Sequence, residues 1–550
     1  MFLGITYPKI FLDFPQINCP VKCEAYFSGV VKIFALTRGV HAPRPCGQLK
    51  SCPILLSCRI VLGLKPRLNI KYRFNWAGKI ERFSKVSYWV SGWLSNRDDR
   101  RFMKFLVIGG DAAGMSAASR AKRNNPDLDI TVLEKTLDVS YSACGMPYNI
   151  ADSSREIDDL VVRQASVFRE KQGINILTGH CVESIHPLSK TVAGISLQEK
   201  KFRFSYDKLL IATGGSPIIP DLSGFDLPGV LALKSLDDGR KIKSYLTSNT
   251  VKKAVIIGMG YIGLEMCEAL RARSIEADMV KPGPVFLPWM GKEMSDVVRN
   301  EVETNKVKLY PGHALQKIHA DGPRLQVICS DLSLEADMVL VAIGIKPNSE
   351  LASGAGLDLG ISNAIAVDRN LKTSDDNIYA AGDCSDAYHV VSGKKTWIPL
   401  ALRANRAGWA VADNICGKAV ELPGVAGTAV FKVFDLEVAR TGLTMKEATD
   451  FGFEPATVMI KTRSRAHAHP GASVIHVLMI GDKKSKRLLG AQMVGKEGVA
   501  HRINAIAVAL HAKMTVDEYC QTDLAYAPPF GPVWDPTLTA ANQLLKKFRM

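Results

Sequence analysis

The chain has 550 residues, of which 47% are hydrophobic, so it is long enough for several packed domains and is neither a disordered nor a fibrous sequence. Its formal charge of +16 would suit a nucleic-acid partner, but residues 1–102 hold 17 Lys and Arg against 5 Asp and Glu, which leaves only +4 for residues 103–550. Because polyanion binding needs clustered cations on the functional domain itself, we predict no nucleic-acid partner.

Cysteine and hydropathy patterns indicate a reducing compartment and no membrane anchor. The 12 cysteines lack paired spacing, and five of them lie in residues 1–102. Scattered cysteines are typical of the cytoplasm, which we predict as the location. The apolar run 53–64 is interrupted by Arg59 and is shorter than the roughly 18 residues that span a bilayer, and the N-terminus lacks a signal-peptide pattern. We therefore predict no membrane partner.

Residues 1–102 form an irregular N-terminal extension without sustained helical or strand periodicity. From Met103 the character changes, because residues 103–108 are typical of a buried parallel strand that runs into a glycine turn. We expect Met103 to be the native start and residues 1–102 to be a mis-called start. A targeting peptide and an additional interaction domain are the alternatives.

The first chemical motif follows directly. A strand over 105–108 leads into a glycine-rich turn and a helix of small residues, and a second strand over 130–133 ends at Glu134. In such a motif the glycines allow close backbone approach, the helix N-terminus binds a pyrophosphate, and an acidic residue about 20 to 25 positions on binds ribose hydroxyls. Asp111 replaces the middle glycine, so an ordinary strand-turn-helix is the alternative interpretation. The predicted turn residues are Gly109, Gly110, Asp111, Ala112, Ala113 and Gly114.

A second motif of the same kind carries all three glycines after a strand over 255–257. Its second strand ends at Lys281, where the ribose-binding carboxylate is expected. A lysine there favours a 2′-phosphate, and so NADPH over NADH, unless it is only a solvated strand end. The predicted turn residues are Gly258, Gly260, Tyr261, Ile262 and Gly263.

Three further segments, 211–217, 341–344 and 373–383, complete an ordered set. Together with the two motifs, this set resembles the pyridine nucleotide-disulfide oxidoreductase family over residues 103–550. The resemblance implies an α/β fold with two Rossmann-like dinucleotide-binding domains and an α+β C-terminal dimerisation domain. It implies an FAD-binding domain at 103–220 and 347–418, an NAD(P)-binding domain at 221–346 and a dimerisation domain at 420–550.

The resemblance also implies the cofactors, FAD together with NADPH or NADH, and their contacts. The first motif and Glu134 would bind FAD, and the second motif would bind the nicotinamide nucleotide. Asp383 would hydrogen-bond the flavin ribitol. The other implied cofactor contacts are Lys135, Val182, Ala212, Thr213, Gly214 and Gly344.

Cys144 is the candidate redox residue. The position five residues later is Asn149, so a C-x4-C dithiol cannot form and a lone thiolate must find an external sulfur. We expect Cys144 to begin a helix, with the helix N-terminus and a neighbouring flavin lowering the pKa of its thiol. The segment after it follows the single-cysteine pattern of the coenzyme A-disulfide reductase subfamily. Cys267, Cys329 and Cys416 are expected to be buried apolar residues.

The C-terminal segment resembles the family's dimerisation domain, which implies a homodimer. The tail of one subunit would then bring Tyr526 to the other subunit's flavin and Cys144 as a proton donor or orienting hydroxyl, with Trp534 lining the substrate channel. The subfamily's second tyrosine is missing, since the sequence has His467 and His469 in that loop: either His469 replaces it as an acid or the substrate differs. We predict no metal site there, because i, i+2 spacing before Pro-Gly offers no third ligand.

For a coenzyme A substrate, the resemblance implies contacts at Ser116, Arg120, Arg123, Ser140 and Asn405. Arginines suit phosphates through bidentate hydrogen bonds, although Arg120 and Arg123 could instead form the solvated face of a helix. The predicted function is a homodimeric FAD-dependent NAD(P)H:disulfide reductase that acts on coenzyme A disulfide, a coenzyme A persulfide or a related low-molecular-weight disulfide. The alternatives are an NADH oxidase that reduces oxygen or peroxide through a Cys144 sulfenic acid, and a flavin-bearing redox sensor.

Overall fold

The structure is a computed structural model that describes residues 102–548 and the backbone of a short antiparallel pair, Arg59–Ile60 with Leu68–Asn69. The chain divides into two units, Met1–Arg100 and Arg101–Met550. Apart from that pair and Phe102, the predictions made for residues 1–102 lie outside the described residues.

The second unit opens with a parallel sheet. Strand β1 forms because the run from Phe105 to Ile108 is apolar and buried, as expected for a central parallel strand. Strands β7, β1, β2 and β3 pair in that order, and β4 to β6 form a separate antiparallel sheet. The elements are β1 (Lys104–Ile108), α1 (Ala112–Asn124), β2 (Asp129–Glu134), α2 (Met146–Ala151), α3 (Ala165–Gln172), β3 (Asn175–Thr178), β4 (His180–His186), β5 (Thr191–Ser196), β6 (Lys201–Ser205), β7 (Lys208–Ile211) and β8 (Gly215–Pro217).

A second parallel sheet follows, with strand order β9-β16-β10-β11-β12 and a three-stranded antiparallel sheet, β13 to β15, inserted before its last strand in sequence. Strand β17 returns to pair with β8. The elements are β9 (Val230–Ala232), α4 (Leu236–Ser248), β10 (Lys253–Ile257), α5 (Tyr261–Ala272), β11 (Glu276–Lys281), α6 (Lys292–Thr304), β12 (Lys308–Pro311), β13 (Leu315–Asp321), β14 (Arg324–Cys329), β15 (Ser333–Ala336), β16 (Met338–Val341) and β17 (Ile345–Pro347).

The chain then rejoins the first sheet, where β18 pairs in parallel with β7, and ends in a five-stranded antiparallel sheet of order β21-β22-β25-β24-β23. The remaining elements are α7 (Glu350–Gly354), β18 (Ile378–Ala380), β19 (Ala387–Tyr388), β20 (Lys395–Thr396), α8 (Ala401–Ile415), β21 (Ala429–Val433), β22 (Leu436–Gly442), α9 (Met445–Asp450), β23 (Pro455–Arg463), β24 (Val474–Asp482), β25 (Leu488–Gly495), α10 (Val499–His511), α11 (Val516–Cys520) and α12 (Pro536–Lys547). This arrangement confirms the predicted fold class. Residues 102–548 contain no helix with the length and apolarity needed to cross a bilayer.

Helix α2 follows Cys144 and packs on the second sheet's side of the molecule. Its buried residues Met146 and Ile150 belong to the same apolar core as Leu264 of α5 and Met279 of β11. The segment that carries Cys144 is therefore anchored on the apolar core of the second parallel sheet.

Helices α1 and α8 pack closely because their contact surface is lined by small residues. Ala113, Ala117 and Ala121 of α1 are buried, and Gly408 of α8 lies against the α1 backbone. A Cβ at Gly408 would overlap the carbonyl oxygen of Ala113. The start of α1 is thus fixed by α8.

Replacing Gly408 by alanine should destabilise the protein. The added methyl group would force α1 and α8 apart, at a cost of about 1–3 kcal/mol in the free energy of unfolding. Gly354→Ala is the matched control, since Gly354 also lies in a helix but a Cβ there would have no neighbour within 4 Å. Denaturant unfolding measures both variants, and equal stabilities would contradict this packing.

Candidate active site

The first glycine turn lies against the chain crossing that follows β7. Gly109 has φ +106°, and a Cβ on it would overlap the carbonyl oxygen of Ala212. Its amide donates to the carbonyl of Leu133 at 2.8 Å. The turn, the end of β2 and the predicted cofactor segment Ala212, Thr213 and Gly214 therefore meet at the carboxyl edge of the sheet, where open α/β sheets bind ligands.

Glu134 is held in place by three hydrogen bonds. Its Oε2 accepts from the Gly110 amide at 2.7 Å, and its Oε1 accepts from the Thr136 amide and hydroxyl, both at 2.8 Å. The side chain is buried at the end of β2. This donor and acceptor set fits the adenosine end of FAD. The neighbouring Lys135 is exposed, and Val182 is buried in β4.

Asp111 connects the glycine turn to the segment that precedes Cys144. Its Oδ1 accepts from the Tyr141 amide at 3.4 Å, and the Ser140 amide donates to the Gly110 carbonyl at 3.0 Å. Burial raises the pKa of Asp111 to about 6, with the Tyr141 hydrogen bond and the charge of Lys234 opposing the rise. The residue that departs from the glycine pattern is thus a link between the cofactor turn and the redox segment.

Asp383 lies at the second chain crossing. Its Oδ2 pairs with Lys234 Nζ at 3.1 Å, and its carbonyl accepts from Trp397 Nε1 at 2.8 Å. The crossing itself is closed by Thr213, whose hydroxyl donates to the Asn348 carbonyl at 2.6 Å. A carboxylate in this position fits a polyhydroxyl chain such as ribitol, which offers the hydrogen-bond donors that a carboxylate accepts.

Cys144 is exposed and lies in a one-turn 3₁₀ segment, Ala143–Gly145, just before α2. The predicted helix start at Cys144 is wrong, since α2 begins at Met146 and has only 6 residues. Among the protein's own groups, burial raises the pKa of the Cys144 thiol, the charge of Glu265 raises it further and Lys234 opposes both. The lowering predicted for a helix N-terminus and a neighbouring flavin stays a prediction.

Glu265 and Tyr148 connect helices α2 and α5 near Cys144. The Tyr148 hydroxyl donates to Glu265 Oε1 at 3.0 Å, which links α2 to α5. Burial raises the pKa of Glu265, while the Tyr148 hydrogen bond lowers it. The sequence analysis missed both residues as site residues, although Glu265 follows the last glycine of the second motif by two positions.

The second glycine turn repeats the geometry of the first. Gly258 has φ +114°, and a Cβ on it would overlap the carbonyl oxygen of Ala342. Tyr261 stacks on Phe431, with ring centroids 4.7 Å apart. Lys281 ends β11 and donates from Nζ to the Val285 carbonyl at 2.8 Å, and burial lowers its pKa. The remaining predicted contacts at this edge are Gly260, Ile262, Gly263 and Gly344.

Two of the predicted coenzyme A contacts meet in the structure, since the Ser116 hydroxyl donates to Asn405 Oδ1 at 2.6 Å. Arg120 is instead engaged within the protein: it pairs with Asp413 at 2.6 Å and lies over the Trp409 ring at 5.1 Å. This pair holds the pKa of Asp413 down at about 2. Arg123 is exposed one turn further along α1.

The predicted tail residues lie between α11 and α12 and are exposed. Tyr526 is 49% exposed and Trp534 is 63% exposed, so both side chains are accessible to a second copy of the chain. The histidine-rich loop lies beside them, because the Ala466 amide donates to the Pro528 carbonyl at 3.1 Å. Within that loop His469 hydrogen-bonds the Pro470 carbonyl at 3.0 Å.

Comparison with known proteins decides the family. The pattern described as pyridine nucleotide-disulphide oxidoreductase matches residues 103–408, and its dimerisation domain matches residues 428–536. The chain belongs to the pyridine nucleotide-disulphide oxidoreductase family. The resemblance inferred from the sequence is therefore confirmed, and this oxidoreductase is an FAD-dependent enzyme that uses NAD(P)H.

Three similar proteins illustrate the range of the family. The oxidoreductase is 38% identical over 440 residues to the NAD(P)H sulfur oxidoreductase (CoA-dependent) of Pyrococcus abyssi, covering 80% of this chain and 97% of that one. Reduced CoADR-RHD of Bacillus anthracis has a TM-score of 0.79 at 32% identity, covering 82% and 81%. The water-forming NADH oxidase of Lactobacillus brevis bound to NADH has a TM-score of 0.78 at 25% identity, covering 81% and 99%.

Glu265→Gln should lower the pKa of the Cys144 thiol. The neutral amide no longer disfavours the thiolate, so alkylation of Cys144 by iodoacetamide should become faster at a fixed pH near neutrality. The pH dependence of the alkylation rate, read from the mass of the Cys144 peptide, measures the change. Glu268→Gln is the control, because Glu268 lies on the same helix but bonds Lys432 and the Phe434 amide. The same response in both variants would refute a specific effect of Glu265.

Proposed function

We propose that this oxidoreductase is a homodimeric NAD(P)H:disulfide reductase whose substrate is coenzyme A disulfide, a coenzyme A persulfide or a related low-molecular-weight disulfide. In this proposal residues 103–220 and 347–418 bind FAD, residues 221–346 bind the nicotinamide nucleotide and residues 420–550 dimerise. The cysteines also favour the cytoplasm, because the seven described ones are all free thiols.

The observation that carries the proposal is the exposed thiol of Cys144, which lies between the first glycine turn and helix α5. The position of the second cysteine in a C-x4-C pair is occupied by Asn149. This residue is buried and donates from Nδ2 to the Glu156 carbonyl at 2.8 Å. A resolving thiol within the chain is therefore replaced by an amide with a structural role. In this proposal the sulfur that Cys144 attacks belongs to a small molecule.

FAD, when bound at the first glycine turn, supplies the two-electron relay between NAD(P)H and the cysteine sulfur. The Cys144 thiolate attacks one sulfur of the disulfide, a bond forms between the two sulfurs, and the other half leaves as a thiolate that takes one proton. Two electrons then break the mixed disulfide, which returns the Cys144 thiolate and releases the second thiol with one further proton. NAD(P)H is oxidised and two thiols are formed for each disulfide.

Tyr526 of the partner subunit is the proposed proton donor to the leaving thiolate. The exposure of the Tyr526 side chain supports a role across the dimer interface. The match to the family's dimerisation domain includes this residue. Trp534 would line the entrance for the substrate.

The substrate class is supported by the polar face of α1 and by the relatives. Ser116 and Asn405 form one hydrogen-bonded pair, and Arg123 and Ser140 offer further donors toward a phosphate. Arg120 would have to share its guanidinium with Asp413. The Pyrococcus abyssi relative is named as CoA-dependent.

Anaerobic oxidation of NAD(P)H by coenzyme A disulfide tests the function. Cys144→Ser should lower the disulfide-dependent rate by at least about a thousandfold, because it removes the nucleophile. Cys181→Ser is the control, since Cys181 is the other exposed cysteine among the described residues. Turnover that requires oxygen and ignores the disulfide would favour the NADH oxidase instead, and FAD binding without any turnover would favour a redox sensor.

Lys281→Ala should raise the KM for NADPH about tenfold and leave that for NADH nearly unchanged, because one charge-assisted contact to the 2′-phosphate is lost. Steady-state kinetics with both nucleotides measures the effect. Lys308→Ala, at the start of the neighbouring strand β12, is the control. An equal change with both nucleotides would contradict a 2′-phosphate contact.

A further inference from the structure

The loop 382–386 carries Asp383 and follows β18 at the carboxyl edge of the first sheet. It lies against the start of α1, since a Cβ at Gly382 would be 3.1 Å from the Cβ of Ala113. It also contacts the end of β7, where Cys384 Sγ lies 3.5 Å from the Ile211 carbonyl oxygen. The loop therefore borders the glycine turn and the chain crossing that together form the proposed FAD site.

Arg403 of α8 holds this loop from behind. Its side chain is buried, with 7% exposure. Nη1 donates to the Gly382 carbonyl at 2.9 Å, and Nη2 donates to the Ser385 carbonyl at 2.9 Å, the Ser385 hydroxyl at 3.0 Å and the Asp386 carbonyl at 2.5 Å. All four acceptors are neutral oxygens.

The two carboxylates of the loop are already paired with other cations. Asp383 pairs with Lys234 at 3.1 Å, and Asp386 pairs with Lys395 at 2.7 Å. The side chains that bind the loop or belong to it therefore comprise three cations and two carboxylates. A buried charge without a dedicated counter-ion is costly, and a guanidinium stays protonated in proteins. Arg403 thus adds one unit of positive charge to a border that also holds the carboxylates of Asp111 and Glu134.

We propose that Arg403 is a positioning residue of the flavin site that holds loop 382–386 in its binding shape and whose buried positive charge favours the reduced state of the bound cofactor. Hydride transfer from NAD(P)H carries two electrons and one proton and leaves NAD(P)⁺, so the flavin site gains one negative charge. A fixed cation stabilises that more negative state relative to the oxidised one. The inference rests on the proposed FAD site but is independent of the disulfide substrate.

Two variants separate the charge of Arg403 from its hydrogen bonds. Arg403→Gln keeps amide donors without the charge, and Arg403→Lys keeps the charge without the fork of donors. The readouts are the midpoint potential of the bound FAD, from anaerobic titration with an indicator dye, and the dissociation constant of oxidised FAD. Arg271→Gln is the matched control, because Arg271 also binds backbone carbonyls, those of Asn305 and Ile275, but lies on α5 and not on α8.

We expect Arg403→Gln to reduce the preference for reduced over oxidised FAD about tenfold, which corresponds to a potential lower by about 30 mV for a two-electron couple. Arg403→Lys should keep the potential and weaken oxidised FAD binding, and Arg271→Gln should change neither. Equal potentials in the Lys and Gln variants would overturn the proposal, as would an Arg403→Gln potential equal to that of the wild-type holoenzyme. No disulfide is present in these measurements, so a failure of the proposed reductase activity leaves their outcome unaffected.

Discussion

The site depends on the close approach of backbone segments at the carboxyl edge of the first sheet. At Gly109 and at Gly408 a carbonyl oxygen occupies the space where a side chain would otherwise stand. These contacts press the start of α1 against the crossing after β7 on one side and against α8 on the other. Loop 382–386 closes the third side. Apart from Val182 in β4, the groups proposed to hold FAD lie on the glycine turn, at the end of β2, on the crossing after β7 or on loop 382–386, so the packing of these segments sets the shape of the cofactor site.

The electrostatic environment of Cys144 disfavours the thiolate form of its side chain. Burial and Glu265 raise the pKa of Cys144, and only Lys234 among its nearest charged neighbours opposes them. We expect the bound cofactors or the partner subunit to supply the interactions that favour the thiolate.

The sequence predicted the periodic and local features well. The buried strands around Phe105 and Val255, the glycine turns and Glu134 depend on short-range patterns, and the structure has them where the patterns indicate. The helix start at Cys144 was wrong, because Pro147 favours the first turn of a helix and that turn begins after the cysteine.

The features that the sequence could not give are contacts between distant residues. Glu265 lies 117 residues from its partner Tyr148, and Arg120 lies 293 residues from Asp413. Nothing in the sequence distinguishes Arg403 from the other charged residues of its helix, yet its side chain is buried against loop 382–386. The direction of a pKa shift could not be predicted from the sequence either, because it depends on burial and on charges that only the fold brings together.

The central claim is that Cys144 forms a mixed disulfide with a small-molecule thiol. The most direct test is mass spectrometry of the oxidised holoenzyme after incubation with coenzyme A disulfide and without NAD(P)H. The account predicts one coenzyme A thiol per subunit on the Cys144 peptide, an unmodified Cys181, and loss of the adduct when NADPH is added. Disulfide-dependent turnover with no adduct on Cys144, or with a sulfenic acid there instead, would contradict it.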